Sequence, residues 1–67
     1  MSVAKVIEIS AQSPTSFEDA IAQGIKRSSE TVKQIQSAWV KELKVDVKDG
    51  KVSMYRVILK VTFVLQS

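Results

Sequence analysis

Along the C-terminal quarter of the chain, apolar and polar positions follow the two-residue period of a β-strand. From Val52 to Gln66 the odd positions Tyr55, Val57, Leu59, Val61, Phe63 and Leu65 are apolar, and only Ser53 departs. The even positions, Val52, Met54, Arg56, Ile58, Lys60, Thr62, Val64 and Gln66, are half apolar and half polar. Alternate side chains of a strand point to opposite faces, so the odd face predicts contact with a core. The mixed even face predicts a second contact surface. The segment lacks Gly and Pro and is rich in strand-favouring residues.

Upstream, Val3 to Ile9 alternates loosely and predicts a first strand, broken by Ser10-Ala11-Gln12-Ser13-Pro14. Phe17, Ile21, Ile25, Ser28, Val32 and Ile35 then recur at three- and four-residue spacing, the stripe of an amphipathic helix. Thr15 followed by Glu18 has the spacing of a capping box. The helix is expected from Thr15 or Ser16 to about Gln36. Gly24 interrupts the stripe at a cost of about 1 kcal/mol against Ala, which predicts close approach of the helix to a sheet. Strands from Ala38 to Lys48 and from Lys51 to Gln66 flank Asp49-Gly50, a pair suited to a type I′ hairpin turn with two positive φ angles. The element order is β-α-β-β.

The second strand changes parity. Ala38 and Val40 are even, whereas Leu43, Val45 and Val47 are odd. One reading keeps the strand straight, with Trp39 joining the odd set. The other places a β-bulge between Val40 and Leu43, which adds a residue and flips the side chains beyond it. On that reading Ala38, Val40, Leu43, Val45 and Val47 cover the helix, and Trp39 shares the outer face with Met54 and Arg56. Pattern alone leaves both open.

Length changes the picture. Sixty-seven residues make one small domain, 1–67, and ordering such a chain costs about 1.5 kcal/mol per residue. Small domains offset this with disulfides, metals or association. With no Cys and no His, disulfides and thiolate or imidazole metal sites are excluded. Association remains, in a chain that is 45% hydrophobic. A homo-oligomer is expected. Charges interrupt the early apolar run, so no signal peptide is expected. No run nears the roughly 20 apolar residues of a span. A cytoplasmic protein without a membrane partner is the expectation. The net charge of +3 is spread among interleaved Lys, Asp and Glu, which fits a solvated surface rather than a nucleic-acid footprint.

Candidate chemistry is sparse. The usual imidazole base and thiolate nucleophile are absent, Ser28, Ser29 and Ser37 lack an evident activating partner, and a non-enzyme is expected. Trp39 reads either as subunit packing or as a ligand plate. Arg56 reads either as an ion-pair partner or as a ligand contact. Asp46 and Asp49 flank the turn with carboxylates that a hard cation could use.

Length, element order and pattern together resemble the dodecins, small flavin-binding proteins that assemble as hollow dodecamers. The resemblance runs over essentially the whole chain. It includes Lys5-Val6-Ile7-Glu8-Ile9, Ser13, Phe17-Glu18-Asp19-Ala20-Ile21, Val40-Lys41-Glu42-Leu43, and Tyr55-Arg56-Val57-Ile58-Leu59-Lys60-Val61 with Phe63 and Leu65. It implies an α+β fold in which a three-stranded antiparallel sheet wraps one helix, with outer strand faces and edges used in assembly. It also implies flavin (riboflavin or FMN) held between subunits.

The family's stacking tryptophan falls at Ser37, with Trp39 two residues further on the same face. The glutamine that contacts the flavin ring falls at Arg56, which can donate to a carbonyl but cannot accept from the imide N–H. Of two basic positions tied to phosphate-bearing ligands, Lys44 keeps its charge and Val64 does not. Trp39, Arg56, Ser37 and Lys44 are therefore the candidate cofactor-binding residues. Some family members resemble calcium binders, which leaves a divalent or alkali metal ion as a second ligand class. Two functions are implied: an oligomeric store that sequesters flavin, or a flavin-free oligomer with a structural or calcium-type role.

Overall fold

The structure, a computed structural model, describes residues 3–65. Strand β1 (Val3–Ser13), helix α1 (Phe17–Ser29), strand β2 (Ile35–Lys48) and strand β3 (Lys51–Leu65) succeed one another along the chain. The strands form one antiparallel sheet in the order β1-β3-β2. The expected end of the last strand at Gln66 lies outside the described residues.

The odd face of β3 supplies the core. Val57, Leu59 and Val61 are buried with Ala20 of α1, and Ile7, Ile9, Ala11, Phe17, Ile21, Ile25 and Ile35 pack around them. Phe17 and Tyr55 close one end edge to face, with ring centroids 5.1 Å apart. Gly24 lets the helix sit close to the sheet. A Cβ there would stand 3.0 Å from Ala11 Cβ and 3.4 Å from Leu59 Cδ1.

Element boundaries differ from the sequence pattern at the end of β1, at both ends of α1 and at the start of β2, which opens at Ile35 rather than Ala38. The first strand runs on to Ser13 rather than stopping at Ile9. Polar Ser10 and Gln12 point outward while Ala11 and Ser13 point in, so the alternation continues with small residues. The helix cap is Ser16 rather than Thr15, its side chain accepting from the Asp19 N–H at 3.0 Å. Buried Ser13 explains the shift. Its Oγ donates to Asp19 Oδ2 at 2.6 Å and accepts from the Thr15 N–H at 2.9 Å, which ties the strand end to the first helical turn.

The helix also ends at Ser29, well before Gln36. The β-branched Thr31 and Val32 favour helix weakly, and Gln34 adopts a positive φ of 61° that reverses the chain. Ile35 keeps its place in the apolar stripe, but as a strand residue paired with Phe63.

The hairpin forms as expected, with positive φ at Asp49 (54°) and Gly50 (76°). Register shifts lie between Ile35 and Ser37, between Val40 and Glu42, and between Asp46 and Val47. The second is the bulge that the parity change allowed, at Lys41. Ala38, Val40, Leu43 and Val45 accordingly pair with Val61, Leu59, Val57 and Tyr55, on the helix side of the sheet. They do not cover the helix, because α1 packs on β1 and β3. The stripe is left exposed, Leu43 at 57% and Val40 at 40%. Val47, paired with Val52, is exposed as well. Apolar surface in search of a partner thus lies chiefly along the inner side of edge strand β2. On the even face of β3, Ile58 and Val64 are half-buried within the chain itself.

Candidate functional site: the outer face of the sheet

Strand alternation and the bulge at Lys41 put the four sequence-derived candidates on one face, opposite the helix. Cross-strand partners form rows across this face. Val6, Thr62 and Ser37 make one, and Glu8, Lys60 and Trp39 the next. Ser10, Ile58 and Glu42 form the third row, and Gln12, Arg56 and Lys44 the fourth. Trp39 and Arg56 are two rows apart, four residues along β3, or roughly 13 Å at 3.3–3.4 Å per residue. A ligand touching both must lie along the face or bridge two copies of the chain.

Trp39 is 52% exposed, a large aromatic surface among charged neighbours. Lys60 Nζ lies 6.0 Å from the ring centroid. Glu8 Oε1 is 3.2 Å from Lys41 Nζ and 3.8 Å from Lys60 Nζ. Ser37 and Thr62, the two members of the adjoining row on β2 and β3, carry small hydroxyl side chains.

Arg56 is held firmly. Its Nε donates to Asp46 Oδ1 and Oδ2 at 3.1 and 3.0 Å, and Nη2 donates to Oδ2 at 2.7 Å. Nη1 donates to Gln12 Oε1. The guanidinium hydrogen bonds hold the Asp46 carboxyl below its ordinary value despite partial desolvation, and the carboxylate raises Arg56 in return. A guanidinium has five N–H groups, so some donor capacity remains for a ligand carbonyl. Beside it, Ser10, Glu42, Lys44, Arg56 and Ile58 line a shallow cavity of about 150 Å³.

Asp46, a candidate metal ligand, spends both oxygens on Arg56, and no three Asp, Glu, His or Cys side chains converge among the described residues. The Arg56–Asp46–Gln12 cluster and the Glu8–Lys41–Lys60 cluster were not legible in the sequence. The first depends on the register shift between Asp46 and Val47, and the second on the β1–β3 register and the Lys41 bulge. No local pattern announces either.

A one-helix, three-stranded sheet with an exposed indole and fixed cations on its free face defines a small α+β binding protein. The chain belongs to the dodecin family, whose model matches residues 3–66. It is similar to calcium dodecin of Mycobacterium tuberculosis, 41% identical over 63 residues, which span 94% of this chain and 89% of that protein. The crystal structure of that relative, described as calcium-chelating with a calcium-binding site, matches with a TM-score of 0.83 over 97% of this chain and 93% of the other. The dodecin of Streptomyces davaonensis matches with a TM-score of 0.93 at 30% identity, over 98% of this chain and 97% of its own. No helix among the described residues is long and apolar enough to cross a membrane.

Proposed function

We propose that this chain assembles into a closed homo-oligomer, a dodecamer, that sequesters a flavin between subunits, with Trp39 as the stacking plate. One observation carries the reading: the indole is half exposed on the outer face, where charged and hydroxyl side chains surround it. An aromatic plane so placed gains most from another planar ring. Ser37 and Thr62 carry small hydroxyl side chains in the adjoining row, while Arg56 and Lys44 supply donors further along the face. The uncovered stripe Ala38, Val40, Leu43 and Val45 supports assembly, since a chain this small gains stability from burying it against another copy. Binding of this kind is equilibrium burial with no bond made or broken.

The 41% identical calcium dodecin supports a second reading, a calcium-type site. Within one copy the acids Glu8 and Asp46 lie against cations, so such a site would draw carboxylates from several copies.

Trp39 is the only tryptophan, and its fluorescence reports directly. Riboflavin is expected to quench it, with flavin emission falling in parallel. Trp39→Ala is expected to weaken binding by roughly 0.5–1.5 kcal/mol beyond the lost contact area, with assembly intact. Absence of quenching at about tens of micromolar riboflavin, a concentration where a Kd near 1 μM would saturate, contradicts flavin binding. A calcium-dependent rise in melting temperature, in place of quenching, would establish the second reading.

A further inference from the structure

We propose that copies of this chain dock head to tail, the uncovered stripe of β2 lying in the groove between α1 and β1 of the next copy. The inference rests on the assembly proposed above and names the surfaces that meet. β1 and β2 are the two edges of the sheet, with β3 between them. On the helix side these edges are unlike. The β2 edge presents Ala38, Val40, Leu43 and Val45 as an exposed apolar ridge. At the β1 edge, Ile9, Ala11 and Gly24, with Gln23, Arg27 and Ser28 at the rim, line an open cavity of about 300 Å³. Ridge and groove lie at opposite edges, so they can meet only between copies. A contact of this kind is heterologous and repeats around a ring. Packing stripe against stripe would leave every groove empty.

Charge and spacing set the direction. At the hairpin tip Lys48 and Lys51 are direct cross-strand partners on the helix side, and like charges so placed repel each other. Helix α1 opens with Glu18 and Asp19, which no ion pair among the described residues engages. Leu43 and Lys48 are separated by roughly 16 Å of strand, and Ser28 and Glu18 by about 15 Å of helix. With Leu43 in the groove beside Ser28, the lysine pair therefore reaches the acidic first turn of the next copy. The register shifts along β2 also disrupt the ladder that a second strand would need at that edge. The contact is one of side chains.

The chain has no Cys, so introduced thiols report contacts without background. Ser28→Cys combined with Leu43→Cys is expected to give a ladder of disulfide-linked chains on a denaturing gel after mild oxidation. Gln23→Cys and Arg27→Cys, each with Leu43→Cys, cover the neighbouring rim positions, since a disulfide needs Cα atoms within about 7 Å. Each single variant should stay unlinked. Charge reversal is the second measurement. Glu18→Lys should raise the concentration at which the assembly dissociates about fivefold, the upper range for an exposed ion pair. Lys48→Glu with Lys51→Glu should do the same, and all three changes together should restore the assembly. Linked dimers from Leu43→Cys alone would mean that stripes meet each other, and overturn the proposal. An intact assembly with none of the three pairs linked overturns it too, while leaving assembly itself standing. If the cysteine variants fail to fold, the charge reversals decide alone, and absence of rescue overturns the proposal. A single-chain mass for the unmodified protein removes assembly and this docking together.

Discussion

Arg56 ties the three strands together on the outer face of the sheet. By resemblance Arg56 stands where a ring-contacting glutamine would be. In the structure its guanidinium first organises its own chain, joining Asp46 on β2 to Gln12 on β1 across β3. The pair has a definite pH dependence. Asp46 is depressed in the folded chain, so its contribution to stability is complete above the ordinary carboxylate value and is lost as pH falls through the depressed one. Arg56 is raised from an already high value, so it loses nothing over the same range. Melting temperature measured downward from about pH 5, across the usual carboxylate range, should therefore fall more steeply in the unmodified protein than in Asp46→Asn. Parallel curves would mean that the bidentate pair does not form in solution.

Among the elements, helix α1 is where pattern and packing part company. Its existence, its apolar stripe and the purpose of Gly24 were legible, because three- and four-residue spacing and an interrupting glycine reflect the surface that the helix presents to the sheet. Its ends were not. Ile35 satisfies helical spacing and strand pairing equally well, and only its pairing with Phe63 decides between them. Ser13 could not be read as the anchor of the first turn, because that role depends on its burial beneath Asp19.

The hairpin turn was plain from Asp49-Gly50, and the bulge at Lys41 was one of two readings left open by parity. Trp39, Arg56, Ser37 and Lys44, the candidates drawn from the resemblance, share one face of the sheet. The charged clusters around them depend on long-range register and became visible only in the fold.

Gly24→Ala tests the close approach. The substitution gains about 1 kcal/mol of helix propensity, but the new methyl meets Ala11 Cβ at 3.0 Å, and overpacking costs about 1–3 kcal/mol. Urea unfolding at fixed protein concentration should show net destabilisation. A more stable variant would mean that the helix stands further from β1 than described.

For the molecule as a whole, the asymmetry of the sheet matters most. One 13-residue helix covers β1 and β3, while β2, an edge strand of 14 residues, keeps Ala38, Val40, Leu43 and Val45 uncovered on the same side. The extents of 52 × 19 × 13 Å describe an elongated chain with much of its apolar surface still open. The sequence pointed to a second apolar surface through the even face of β3. The fold puts the larger uncovered stripe on β2, because the bulge turns its residues to the helix side beyond the reach of the helix.

Both ligand readings, flavin between subunits or a cation gathered from several copies, depend on that stripe being buried by other copies. Light scattering at micromolar concentration on the unmodified protein, with Leu43→Glu beside it, tests this directly. The unmodified chain should form a single large species of many times its 7.4 kDa, and the glutamate variant, which places an unpaired charge in the contact, should dissociate it. A mass of one chain for the unmodified protein, or an assembly indifferent to Leu43→Glu, would contradict burial of the stripe.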